Sequence, residues 1–381
     1  MCPLFKAYCD NIPNALTRGR QASLPGSRYP RTYCFYGHGH REFLYSGVDH
    51  PSDRRIHALV TRIMFATDVH GSEQCFRKFV NAAKYKVYRS DIAILSGDIT
   101  GKTIVPIVEQ PDGSYKATIP GKIVGAEHKA ATQGELKDLQ KMIRDTGYYP
   151  YVTTPGEIEG FKADRSKLDL LIKQLMLETV QDWVKLAEER LKGSGVKFIL
   201  TPGNDDILEV DDAINESTYI INAEGRTVSL DEEHEMITSG YTNPTPWKTP
   251  RELSEQELAQ YIDSLASDVR SMERCVFNFH CPPYDSSLDT APKLGRDLTP
   301  TISALEGYVT APAGSTAIRT AIEKYQPVVG LHGHIHESAG EVKIGRTLCL
   351  NPGSEYHDGM LEAYLVDLDK GKIKFYIHVE A

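Results

Sequence analysis

The sequence has no C-x-x-C pair, no internal repeat, no low-complexity tract and no apolar run long enough to cross a bilayer. Each absence removes a class of protein. The seven cysteines, at 2, 9, 34, 75, 275, 281 and 349, are odd in number and scattered, which argues against a disulfide framework. The most apolar long segment, 168–187, is broken by Asp169, Lys173, Gln174, Glu178 and Asp182, too polar for the roughly 20 residues a span requires. The opening Met1-Cys2-Pro3-Leu4-Phe5-Lys6 lacks the basic stretch and apolar run of a secretory signal, so the expectation is a cytoplasmic protein with no membrane partner. Acidic residues outnumber basic ones, 52 to 43, for a net charge of −9, and a body of that sign repels nucleic acid and anionic lipid.

What is present is ordinary for a folded chain. The 381 residues, 40% hydrophobic and 25% charged, allow one large domain or two. Residues 1–57 stand apart: eight Lys or Arg against four Asp or Glu give +4, leaving −13 for the remainder. With Tyr29, Tyr33, Phe35 and Tyr36 among prolines and glycines, this segment reads as an appended arm of irregular structure, ahead of a domain over 58–381.

From residue 61 the pattern sharpens. A short apolar run at 63–66, a helical stretch at 73–88 and a second run at 92–95 read as strand, helix and parallel strand. Further strands are expected at 196–200, 274–279, 327–331, 346–350, 361–367 and 372–379, with helices at 254–272 and 315–325. Ser254 and Glu257 form a capping box for the first of these helices. The mixture predicts an α/β fold with two stacked sheets flanked by helices. Residues 101–190 interrupt it as an insertion with a hairpin at Asp112-Gly113 and two helices, the longer over 164–191. Leu168, Leu171, Ile172, Leu175, Met176, Trp183 and Leu186 give that helix a broad apolar face.

Five short segments carry the chemistry, each at the end of an expected strand. Asp68-Val69-His70 sets a carboxylate and an imidazole two residues apart, on one side of extended chain. Gly97-Asp98 and Gly203-Asn204-Asp205-Asp206 follow the next apolar runs, and each alone reads as a turn. His280 ends another strand, and Gly333-His334-Ile335-His336 again pairs two imidazoles. Together they supply carboxylate, imidazole and amide oxygen, the donor set of a dinuclear centre. Gly37-His38-Gly39-His40 imitates the last motif, but no apolar strand precedes it, so it reads as a solvated loop.

In order and residue type these five segments resemble the calcineurin-like metallophosphoesterase superfamily, over about 61–379 outside the insertion. The resemblance implies a four-layer α/β/β/α sandwich and two transition-metal ions, Mn, Fe or Zn. Asp68, His70, Asp98 and His336 would hold one ion. Asp98, Asn204, His280 and His334 would hold the other, with Asp98 shared. The activity implied is hydrolysis of a small phosphate ester, foremost a phosphodiester; a nuclease of the same superfamily and an idle scaffold are the alternatives. Family members place a histidine where this chain has Asp205, a residue that touches phosphate or protonates the leaving group. Asp98, Asp205 and Asp206 are accordingly the expected catalytic carboxylates. Repulsion from Asp205 and Asp206 is expected to disfavour dianionic monoesters, with His357 as a substitute proton donor.

Overall fold

In the computed structural model, which describes residues 60–85, 88–120, 127–295, 297–303 and 307–381, β1 (Thr61–Ala66) and β2 (Ile92–Ser96) run parallel across helix α1 (Glu73–Lys84). The 1–57 arm and the Gly37-to-His40 motif lie outside the described residues. Helix α1 begins on Ser72, whose side chain accepts from Cys75 N, and stops before residue 88 because Tyr85 takes an extended backbone.

The chain then builds a separate four-stranded sheet from β3 (Ile104–Glu109), β4 (Tyr115–Thr118), β5 (Glu127–Ala130) and β6 (Tyr149–Thr153), in the order β5-β4-β3-β6. The Asp112-Gly113 hairpin joins β3 to β4. Helix α2 (Gln133–Asp145) covers this sheet, and Leu136, Leu139 and Ile143 bury against Val105, Ile107 and Ala117. Helices α3 (Pro155–Ala163) and α4 (Arg165–Leu191) follow. The apolar face expected on α4 is only half-buried at Leu168, Leu171, Ile172 and Leu175. Its packed residues are Met176, Val180, Trp183, Val184, Ala187 and Leu191, so this helix leaves the insertion and joins the main core.

β7 (Lys197–Thr201) returns to β2, and α5 (Val210–Asn215) leads to β8 (Thr227–Ser229) and β9 (Glu235–Ser239). After α6 (Glu255–Ser267), with its Ser254 capping box, come β10 (Cys275–Phe279) and two short ladders. These pair β11 (Thr290–Pro292) with β14 (Thr310–Pro312), and β12 (Ile302–Ser303) with β13 (Gly307–Tyr308). The chain ends with α7 (Thr316–Tyr325), β15 (Val329–Leu331), β16 (Gly340–Ile344), β17 (Thr347–Asn351), β18 (Glu362–Asp369) and β19 (Lys372–Glu380).

The chain is thus a mixed α/β protein with two large mixed sheets, β19-β18-β1-β2-β7 and β16-β17-β15-β10-β9-β8. Alternation along β1 divides the core: Ile63 and Phe65 face residues of the second sheet such as Val276, Val329 and Leu348, while Met64 and Ala66 face Phe76, Phe79 and Trp183 of α1 and α4. On the second sheet, Phe277 and Phe279 pack against Leu258 and Ile262 of α6 and Ile318 and Ile322 of α7. Among the described residues no helix is long and apolar enough to cross a membrane.

Candidate metal centre

Asp68 and His70 leave β1, Asp98 leaves β2 and Asn204 leaves β7, three parallel strands of one sheet; His280 follows β10, and His334 and His336 follow β15, parallel neighbours in the other. Carboxyl ends of parallel strands are where α/β sheets leave a crevice. The loops are tied to one another: Asp68 N donates to Gly97 O (3.0 Å), His70 N to Asp98 O (2.9 Å) and Gly333 N to His280 O (2.9 Å). Asp68, His70, Asp98 and His334 have φ of 52, 40, 43 and 68°, the left-handed region that non-glycine residues seldom occupy. Such strain persists where surrounding structure fixes a side chain's direction, and it gathers at functional sites. Two motif glycines provide room. A Cβ on Gly97 would lie 2.0 Å from His280 Nδ1, and one on Gly333 would lie 2.3 Å from Asp68 Oδ2.

All seven expected ligands converge. Asp68, His70 and His336 form one group and Asp98, His280 and His334 another, each with ligand atoms within 4.8 Å of one another. Asp98 joins them, with Oδ2 3.7 Å from His70 Nε2 and Oδ1 3.4 Å from His280 Nε2. Asn204 Nδ2 donates to Thr249 Oγ1 (3.0 Å), which turns its Oδ1 to within 3.1 Å of His280 Nε2. Asp68 Oδ2 accepts from Thr67 Oγ1 and His334 N, but Oδ1 is buried without a hydrogen-bond partner. That oxygen lies 3.3 Å from His336 Nε2 and 3.8 Å from both His70 and His280 Nε2. A buried carboxylate oxygen ringed by imidazole nitrogens is costly unless positive charge sits beside it. The donor set therefore fits a borderline cation.

The electrostatics express the same demand. Burial disfavours a charged His280, yet the Asp98 and Asp68 carboxylates raise it to about 9. Burial also opposes charge on Asp68, but His280, His336 and His70 hold its carboxyl well below the usual range. His334, buried and beside His280, is pushed down to about 3 and stands neutral, the form that could coordinate a cation. Burial and then Lys102 lower His70 in the same way.

Two expected catalytic carboxylates behave differently from the sequence reading. Asp206 is fully buried and turned away from the ligands: its oxygens accept from Ile99 N (3.0 Å), Thr100 N (2.8 Å), Thr100 Oγ1 (2.6 Å) and Gly203 N (2.7 Å). It clamps the Asp98 and Asn204 loops together and has no oxygen left to meet a substrate. Asp205 does reach the site, within ligand distance of His70 and Asp98, and its amide donates to Asp98 Oδ1 (2.9 Å). It is not a lone negative charge, because Lys102 Nζ pairs with its Oδ2. Burial and Asp98 raise the Asp205 carboxyl to about 6 while Lys102 draws it down. Lys102 thus offsets the Asp205 charge, and Asp206 spends its oxygens on the two loops. His357 packs against Tyr356 with ring centroids 3.9 Å apart and planes tilted by 36°, and it belongs to neither of the two groups. His332 Nδ1 bonds Phe279 O (2.8 Å) and Cys281 O (3.1 Å), tying β10 to the loop after β15.

Several supporting residues lie outside the five motifs. Ser354 Oγ donates to Asp68 O (2.6 Å), Tyr356 packs 4.8 Å from the His70 ring, and Arg251, buried, donates to Asp206 O, Ile207 O and Asp211. Thr249 accepts from the side chain of Asn204.

No protein-family model matches the chain. Over 159 residues, 41% of its length, it is 31% identical to the uncharacterized protein MJ1162 of Methanocaldococcus jannaschii, and it spans 64% of that protein. Among solved structures it is similar to TT1561 of Thermus thermophilus, at 12% identity over 83% of this chain and 97% of that one, with a TM-score of 0.43. It is also similar to a hypothetical protein from the same organism, at 9% identity over 84% and 99% of the two chains, with a TM-score of 0.41.

Proposed function

We propose that this chain is a dinuclear-metal hydrolase of small phosphate esters, phosphodiesters foremost, of the calcineurin-like metallophosphoesterase type. The two large sheets share one core and each meets helices on its other face, which supports reading the fold as a four-layer α/β/β/α sandwich. Asp68, His70, Asp98 and His336 would hold one cation and Asp98, Asn204, His280 and His334 a second, with Mn, Fe or Zn suited to the mixed nitrogen and oxygen donors. Two cations bound there would supply a nucleophile at neutral pH and neutralise phosphoryl oxygens.

The chain's own residues do the rest. Thr249 presents the Asn204 carbonyl, Asp206 fixes the spacing of the two loops that carry Asp98 and Asn204, and Lys102 with Asp205 borders the ligand cluster. The observation that carries the proposal is the unpartnered buried Asp68 Oδ1, faced by three imidazoles from three loops. Cys75, Cys275, Cys281 and Cys349 are buried free thiols, which supports placing the protein in the reducing cytoplasm. The test is a screen of Mn-, Fe- and Zn-loaded protein against mononucleotides, cyclic nucleotides, other phosphodiesters and short oligonucleotides. Turnover of a small ester that ceases on chelation is expected; a metal-loaded chain inert to all of them contradicts the proposal.

A further inference from the structure

Lys102 borders the candidate ligand cluster through its pair with Asp205, on a backbone that is well fixed. Three successive amides before it are held: Ile99 N and Thr100 N by the Asp206 carboxylate, and Gly101 N by Tyr149 Oη at 2.9 Å. Tyr149 and Asp206 are both buried, so the origin of the lysine stem is set by the core while its tip pairs with Asp205. The side chain is 37% exposed, whereas its partner Asp205 is 15% exposed and the neighbouring His70 only 2%. Asp205 in turn has a carboxylate oxygen within 4.8 Å of ligand atoms of His70 and Asp98, so the ion pair places the ammonium beside the cluster.

We propose that Lys102 is a substrate-binding residue: held beside the centre by Asp205, its ammonium transfers to a non-bridging oxygen of the incoming phosphate group. The inference rests on the phosphoesterase reading and adds to it what recognises the phosphate besides metal. Asp205 is then a positioning residue that parks the ammonium and takes it back. A lysine recognises phosphate as a point charge on a flexible stem, without the planar fork an arginine imposes. It therefore tolerates phosphates of different orientation and favours the one with more negative charge. Lys102 accordingly makes dianionic monoesters acceptable at a centre that Asp205 alone would close to them.

The test uses the full chain, metal-loaded, titrated calorimetrically with inorganic phosphate and assayed with p-nitrophenyl phosphate and bis(p-nitrophenyl) phosphate. In Lys102→Met the phosphate Kd rises about 10- to 100-fold, the loss expected for one charge-assisted hydrogen bond. KM rises more for the monoester than for the diester, metal content stays at the parental level, and Lys102→Arg recovers most of the affinity. A phosphate Kd within about twofold of the parent in Lys102→Met, with metal intact, overturns the assignment. So does loss of metal in that variant, which would make Lys102 a support of the centre. A parent that binds phosphate but cleaves neither ester sinks the phosphoesterase reading alone, and the calorimetric comparison still decides Lys102.

Discussion

Two adjacent aspartates, 205 and 206, show how far residue type falls short of residue role. In sequence they are equivalent carboxylates after Gly203-Asn204. In the fold the Asp206 side chain points inward to four donors on two loops, while Asp205 points outward to Lys102. Losing the first leaves buried N–H and O–H groups unpaired; losing the second opens a partly exposed ion pair. Asp206→Ala should therefore destabilise the protein by about 3 kcal/mol, whereas Asp205→Asn should change stability by less than about 1 kcal/mol. Denaturant unfolding of the two variants measures the difference. Equal losses would mean that Asp206 does not brace the loops.

At the scale of elements, the site depends on where strands stop. β1, β2, β7, β10 and β15 are short and buried along almost their whole length, and their apolar runs made them visible in sequence. A candidate ligand follows each of them, so the residues that converge at these strand ends could be picked out from the sequence. β9 was not: Glu235-Met236-Ile237-Thr238-Ser239 is wholly buried, but its polar residues mask a central strand whose Glu235 is paired with Arg270. The sheet β3 to β6 was legible only at its Asp-Gly hairpin, since Pro106, Lys116 and Lys129 break the apolar pattern of an exposed sheet.

The insertion is anchored beside the ligands at both ends. Tyr149 N donates to Thr103 O (3.0 Å), which holds its returning strand against the loop that carries Lys102, and Ser72 Oγ donates to Asp145 O (2.7 Å), which ties the end of α2 to the start of α1. Since α4 belongs to the main core, an excision has to spare it. Replacing 104–148 by a short flexible turn, with Tyr149 retained, should leave metal content unchanged and shift relative rates between small and bulky esters by about tenfold or more. Steady-state rates on a matched ester series provide the measurement. Parental ratios from a folded, shortened protein would show that the insertion does not border the substrate.

Across the whole molecule, side chains separated by up to 268 residues, from Asp68 to His336, meet because two sheets aim the ends of their parallel strands at one crevice. Their convergence was legible because the motifs sit at strand ends, which restrict position. The sequence pattern did not carry to Lys102, Thr249, Tyr356 or Arg251, whose roles come from packing between distant loops and leave no local pattern. In the proposed two-cation centre Asp98, which lies between the two groups, would be the shared ligand. The most direct test is elemental analysis of the purified chain beside Asp98→Ala, with circular dichroism to verify folding. The account predicts up to two transition-metal ions per chain in the parent and loss of most of that metal in the variant. A folded Asp98→Ala protein that retains the parent's metal content would contradict it.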